Sequence, residues 1–208
     1  MKAIILAAGQ GTRLRPLTND RPKCLVELSG KPILEHQLDV FNHCGVLDVH
    51  VVGGYYSEQL VSDRFNLHIN QDYASTNMVY TLFCAADLFD CNEDIIISYG
   101  DIVFQPNVLT TLLKSDSAIS LAIDTEWLEY WRSRMDDPLD DAETLKLDDS
   151  QRIIEIGKKP KNLGEIHGQY TGLIKIQSDF VKKFKNHWLN MDKNKSYDGQ
   201  NFNNMYMT

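Results

Sequence analysis

Cysteine is scarce in this chain: 208 residues carry only Cys24, Cys44, Cys84 and Cys91, none at metal-ligand spacing. A domain of this length buries a sizeable core without covalent staples, so these read as reduced core thiols. Long apolar runs are missing too, which excludes a membrane-spanning helix of about 20 residues. Positive charge is in deficit, with 21 Lys and Arg against 29 Asp and Glu and a net charge of −8. That balance argues against a general nucleic-acid surface, which would advertise basic patches. There are no repeats, low-complexity tracts or Gly/Ser linkers. No Ser-His-Asp or Cys-His constellation is evident, and His36, His43, His50, His68, His167 and His187 are scattered and read as structural. Neither G-x-G-x-x-G nor the P-loop spacing occurs. No signal-peptide pattern precedes the first strand, because Met1-Lys2 leads straight into it, and the expected compartment is the cytoplasm.

What is present concentrates at the amino terminus. The apolar run Ile4-Ile5-Leu6-Ala7-Ala8 empties into Gly9-Gln10-Gly11-Thr12-Arg13-Leu14-Arg15, and Lys23 follows in RPKCLVEL. Glycines let the backbone approach a bulky anion and turn its N–H groups toward it. Arg13, Arg15 and Lys23 supply the full charges that a polyphosphate demands. In a chain of net charge −8 an anionic substrate must be met by such a local cluster.

The rest alternates strand and helix. Residues 3–8, 48–52, 67–70 and 94–98 read as strands. Helices are expected over Pro32–Cys44, with Gly45 as its stop, from a Ser57 cap through Phe65, and from Thr76 or Asn77 to about Leu88. This succession predicts an α/β fold with a doubly wound, mostly parallel sheet and helices on both faces. Further strands are expected at 118–123, 144–147, 153–156 and 169–176, with helices at 126–134 and 179–188. The acidic stretch Asp136–Asp141, which contains Pro138, reads as a solvated loop. Open α/β sheets bind ligands beyond the carboxyl ends of their strands. That rule gathers the loops 9–15, 53–56, 73–77 and 99–104 at one mouth. Asp101, in Tyr99-Gly100-Asp101-Ile102, is the clearest acid there, held just after a buried strand. Mg²⁺ binds through one or two carboxylates plus phosphate oxygens and water, so one well-placed Asp is a start.

The string LAAGQGTRLRPLT…RPK resembles the L-A-A-G-x-G-[ST]-R-[LF]…K signature of nucleotidyltransferases that activate sugar phosphates and small phosphorylated alcohols. The resemblance implies a Rossmann-like sheet of the glycosyltransferase-A kind. It implies a nucleotide site at Leu6, Ala7, Ala8, Gly9, Gln10, Gly11, Thr12, Arg13 and Lys23, flanked by Gly54, Tyr73 and Asn77. It also implies Asp101 as a Mg²⁺ ligand, with Arg13, Lys23 and Asp101 as the catalytic set. A phosphate monoester is already anionic at neutral pH. It attacks the α-phosphorus in line and expels pyrophosphate, so catalysis is positioning and charge neutralisation. Within this resemblance, Asn70-Gln71-Asp72-Tyr73-Ala74-Ser75-Thr76-Asn77-Met78-Val79-Tyr80-Thr81 is similar to cytidylyltransferases acting on phosphocholine, 2-aminoethylphosphonate, or phosphoglutamine for capsule decoration. CTP is therefore favoured over UTP or dTTP. A sugar-1-phosphate enzyme and a catalytically silent nucleotide-binding subunit stay open as alternatives.

For the acceptor, Lys159 in EIGKKP matches a family lysine that reaches the acceptor phosphate, while a solvated strand-end pair with Lys158 explains it equally. Tyr80, Trp127 and Tyr170 are the remaining candidates, offering aromatic faces to an amine-bearing phosphate. Trp127 and Trp131, at i and i+4, fit core packing as well. One domain over 1–208 is expected, with residues 1–116 as its nucleotide half and 117–208 as its acceptor half. The resembled chains continue past the position of Thr208 to a second Mg²⁺-binding aspartate. Truncation at FNNMYMT is thus the favoured reading, the alternative being that a local acid such as Asp198 substitutes. Partners are CTP and a small phosphorylated acceptor, with no nucleic acid and no membrane insertion; a homodimer is left open.

Overall fold

The structure is a computed structural model that describes residues 1–197 and 200–205. In chain order the strands are β1 (Lys2–Ala7), the paired β2 (Glu27–Leu28) and β3 (Lys31–Pro32), β4 (Asp48–Gly53), β5 (Asn66–Ile69), β6 (Ile95–Tyr99), β7 (Ile119–Asp124), β8 (Leu145–Leu147), β9 (Ile153–Ile156) and β10 (Gln169–Ile176). The α-helices are α1 (Ile33–His43), α2 (Met78–Phe83), α3 (Pro106–Leu113), α4 (Trp127–Arg134) and α5 (Ser178–Leu189). Among the described residues no helix is long and apolar enough to cross a membrane.

The central strands are unbroken apolar runs rather than alternating ones. Ile95, Ile96 and Ile97 are all fully buried although successive side chains point to opposite faces, so both faces of β6 are covered. The same holds for Ala3, Ile4 and Ile5 in β1 and for Val51 and Val52 in β4. The sheet runs β5-β4-β1-β6-β10-β7, with β5, β4, β1 and β6 parallel and β10 antiparallel to β6. The mostly parallel α/β expectation is met, with β10 reversed.

The chain divides into two compact units. The first is Met1–Ser120 together with the described residues between Gly172 and Met205; the second is Leu121–Thr171. In the first, α1 buries Leu34, Gln37, Leu38 and Phe41, and Gly45 ends the turn after it at φ 78°. Lys175, 4% exposed on β10, donates to the Leu113 and Ser115 carbonyls at 2.9 and 2.7 Å and pairs with Asp94 at 3.2 Å, which ties the end of α3 to the sheet. On α5, Trp188 stacks on Phe83 with centroids 4.0 Å apart, and Phe184 and Phe89 extend the stack. The second unit has its own small core of Trp127, Ala142 and Ile166. There the β8–β9 hairpin is held by Lys146, which bridges Glu155 and Glu165 at 3.0 and 2.9 Å.

Two expected helices differ. In place of a helix from Ser57 to Phe65 there is one 3₁₀ turn, Ser57–Gln59, entered through Tyr56 at φ 49°. The stretch lacks an apolar stripe: Leu60 is buried, whereas Val61 is 85% exposed. The helix that Asn77 caps ends at Phe83, and a 3₁₀ segment, Ala86–Asp90, completes the expected span. The tighter winding brings Phe89 to 5.3 Å from Phe83.

Replacing the fully buried Phe89 by Ala removes a ring that packs on both Phe83 and Phe184. The expected cost is about 3–5 kcal/mol, read as a lowered urea midpoint. Burial also pushes the Cys24 thiol up to about 12. Thiolate is the reactive form and is scarce below that value, so iodoacetamide at pH 8 should leave Cys24 unlabelled until the protein is unfolded.

Candidate active site

The parallel register puts the carboxyl ends of four strands side by side. Leu6 lies opposite both Val52 and Tyr99, and Gly53 lies opposite Ala7 and Ile69. The loops that follow these strands surround an open cavity of about 250 Å³ in the first unit. Its wall is made by Leu6–Gly9 and Gly11–Leu14 from the loop after β1, by Lys23 and Cys24, by Tyr73 and Thr76–Met78, and by Tyr99–Asp101.

Close backbone approach explains the glycine before Asp101. The Gly100 N–H donates to the Leu6 carbonyl at 2.8 Å, and a Cβ on Gly100 would lie 2.6 Å from that oxygen. Any side chain there would push the Asp101 turn away from β1. At the other wall Gly11 adopts φ 61° and opens a 3₁₀ turn, Thr12–Leu14, that carries Arg13. The buried Thr18 hydroxyl donates to the Gly11 carbonyl at 2.9 Å and fixes that turn from behind.

Lys23 sits on a second 3₁₀ turn, Lys23–Leu25, and its ammonium donates to the Asp101 carboxylate. The two side chains are 28% and 36% exposed, so the pair faces the cavity and remains open to a ligand. The third wall is organised by Asn70, which is fully buried. Its Nδ2 donates to the Thr76 and Thr81 hydroxyls at 3.0 Å each, and its Oδ1 accepts from the Asp72 N–H at 3.0 Å. Asn77 then caps α2 through its own side chain and the Met78 N–H at 2.9 Å. Two backbone bonds from the C-terminal stretch support this wall, Asn77 N–H to the Asn203 carbonyl at 2.8 Å and Val79 N–H to that of Met205 at 3.4 Å.

Of the sequence-predicted nucleotide residues, Leu6, Ala7, Ala8, Gly9, Gly11, Thr12, Arg13, Lys23, Tyr73 and Asn77 line this one cavity together with Asp101. Gln10 and Gly54 are not among its lining residues. Gly54 instead passes close behind the cradle, where a Cβ would meet Tyr73 at 2.6 Å and the Ala8 carbonyl at 2.9 Å. Tyr80 turns its hydroxyl to Asp72 at 2.9 Å, and that acceptor holds the phenol above its ordinary value. Thr18 and Asn70 were missed as supports. Both lie inside the quoted motifs, but their sequence neighbours, Leu17 and Asn19 for one and Ile69 and Gln71 for the other, do not mark them as buried.

The acceptor candidates Lys159, Trp127 and Tyr170 belong to the second unit. The Lys159 ammonium donates to the carbonyls of Leu139 and Asp140, the latter at 2.8 Å, and so clamps the acidic turn Pro138–Asp140. Lys158 pairs with Glu155 at 2.9 Å, and this lysine with Lys146 pulls that carboxyl down to about 2. Trp127 corrects the aromatic-cage expectation: it is 4% exposed and packed with Ala142, Ile166 and Trp131, which leaves its indole to protein neighbours. Tyr170 is half-buried at the start of β10.

The donor set also limits the metal. Among the described residues no group of three His, Cys, Asp or Glu side chains could hold an ion. A lone carboxylate beside phosphate-sized space fits a Mg²⁺ that keeps phosphate oxygens and water as its other ligands, and does not fit a closed zinc cage. Asp198, considered above as a second acid, lies outside the described residues.

Comparison with known proteins agrees with this geometry. Residues 3–155 match the family described as the MobA-like NTP transferase domain. The CTP:phosphoglutamine cytidylyltransferase of Campylobacter jejuni is 41% identical, over all of this chain and 85% of that protein. The choline-phosphate cytidylyltransferase of Streptococcus pneumoniae is 41% identical over 40% of this chain and 38% of that protein. In three dimensions the CTP:phosphocholine cytidylyltransferase from Streptococcus pneumoniae superposes with a TM-score of 0.62 at 22% identity, covering 89% of this chain and 74% of that one. The likeness there is of fold. With the family's region covering the whole cavity wall, the chain belongs to the MobA-like NTP transferase family.

Proposed function

We propose that this chain is a Mg²⁺-dependent cytidylyltransferase that joins CMP from CTP to a small phosphorylated metabolite and releases pyrophosphate. The observation that carries the reading is the cavity itself: a glycine-containing turn bearing Arg13 and a Lys23–Asp101 pair line one phosphate-sized space. The whole-length likeness to the C. jejuni enzyme favours CTP, and makes phosphoglutamine the first acceptor to test.

In this reading the Gly9–Thr12 backbone receives the triphosphate, and the Arg13 guanidinium neutralises its outer phosphates as they leave. The acceptor's phosphate oxygen forms a bond to the α-phosphorus while the bond from that phosphorus to the bridging oxygen breaks. Pyrophosphate carries away the electron pair, and no side chain is required as nucleophile. Lys23 contacts the α-phosphate or the incoming phosphate and holds the Asp101 carboxylate in place until the nucleotide arrives. Mg²⁺, when bound at Asp101, supplies charge neutralisation for the phosphates. Lys159, freed from the Leu139 and Asp140 carbonyls, is the second-unit group proposed to hold the acceptor phosphate, with Tyr80 and Tyr170 as further acceptor-side groups.

Arg13→Ala and Asp101→Ala should each lower turnover by about 10²–10³-fold in a pyrophosphate-release assay with CTP and phosphoglutamine, as expected for loss of one charge-stabilising group. Near-parental rates in either would refute the phosphate-and-metal account. Crossing CTP, UTP, dTTP and GTP with phosphoglutamine, phosphocholine, aminoethylphosphonate and glucose 1-phosphate should give turnover with CTP and a phosphorylated amine or amino acid. Turnover confined to the sugar phosphate would replace this reading with the sugar-nucleotide one. CTP with Mg²⁺ should also raise the melting temperature more than UTP does.

A further inference from the structure

Among the described residues the one carboxylate lining the cavity sits on a turn, and a turn by itself would let Asp101 wander. One buried side chain prevents this. Gln37 is 1% exposed and lies in the apolar stripe of α1 between Leu34 and Phe41. Its Nε2 donates to the Tyr99 carbonyl at 2.9 Å and to the Ile102 carbonyl at 2.8 Å, so the two bonds straddle Gly100-Asp101. Its Oε1 accepts from the buried Ser98 hydroxyl at 2.8 Å. That third bond orients the amide, because a flipped group would set its oxygen against two carbonyl oxygens. One turn along α1, Phe41 meets Phe104 edge-on at 5.8 Å and anchors the far end of the same segment.

We infer that Gln37 is a positioning residue for the proposed reaction: its amide clamps the backbone on both sides of Asp101 and thereby holds the carboxylate where it meets Lys23 and the metal-bound nucleotide. This rests on the reading of Asp101 given above. A helix that needed only to cover the sheet would place an apolar side chain at position 37. The full use of one amide's donors and acceptor on residues 98, 99 and 102 is what distinguishes a clamp from a tolerated polar residue. Losing it takes one donor from each of the Tyr99 and Ile102 carbonyls, which favours rearrangement of the segment toward water.

The test compares Gln37→Met, which keeps length and removes all three bonds, with Gln37→Glu, which keeps shape and replaces the double donor. Hydrogen exchange of the peptide spanning residues 99–104 is read on the protein without nucleotide or metal, alongside β1 as an internal control. The clamp predicts at least tenfold faster exchange in 99–104 with β1 unchanged. It also predicts a fall in kcat of tenfold or more with KM for CTP within about threefold, since the nucleotide cradle after β1 is untouched. Unaltered exchange and kcat in a folded Gln37→Met would overturn the inference. So would collapse of the fold in both variants, which would make Gln37 a scaffold residue. Asp101→Asn is assayed in parallel. If it retains full turnover, the reading of Asp101 fails while the exchange result still decides the clamp; if it is inactive and Gln37→Met is not, the clamp alone fails.

Discussion

The hydrogen bond from the Gly100 N–H to the Leu6 carbonyl is the constraint on which the site depends. It joins the first residue beyond β6 to the end of β1, so that the glycine loop and the aspartate turn leave the sheet as neighbours. With no Cβ at position 100 the two backbones meet directly, and Asp101 is carried to the wall facing Lys23. A cation and an anion 78 residues apart in sequence thus become a pair because of strand register rather than any affinity of their own. A pair this exposed contributes at most about 1 kcal/mol to stability. Its value lies in charge already in place.

Stiffness comes from elsewhere. Each wall of the cavity is backed by a buried polar group whose bonds are spent on loop backbone or loop hydroxyls: Thr18 behind the Gly11 turn, Asn70 behind the Asp72–Asn77 loop, and Gln37 behind Asp101. In a low-dielectric interior an unpaired amide is costly, so each of these groups has strong reason to hold a single arrangement. The apolar sheet supplies the energy of folding, and the polar supports supply the geometry.

What was legible in the sequence follows the same division. The parallel strands are legible because residues buried on both faces leave unbroken Ile and Val runs, and the β1 loop because its glycines and cations sit next to one another. The Ser57–Phe65 helix was misread because a Ser cap and scattered apolar residues mimic a helix start without the stripe that would bury it. Trp127 was misread because an i, i+4 aromatic pair looks alike in a cage and in a core, and only the neighbours Ala142 and Ile166 decide. Lys159 matched a motif, yet its two carbonyl partners come from a turn some twenty residues earlier. Gln37 offered a trace, a polar residue at an apolar helix position, but its meaning depends on Ser98, Tyr99 and Ile102, brought there by the fold.

The charge balance poses a last physical question: why a protein of net charge −8 should receive a tetraanion. Screening answers most of it. At physiological ionic strength the Debye length is about 8 Å, so acidic groups beyond the cavity are largely hidden from a ligand inside it. In the proposed reaction, phosphates inside the cavity would be met by Arg13 and Lys23, both of which line it. Among the described lining residues Asp101 is the one carboxylate, and it is already paired with Lys23.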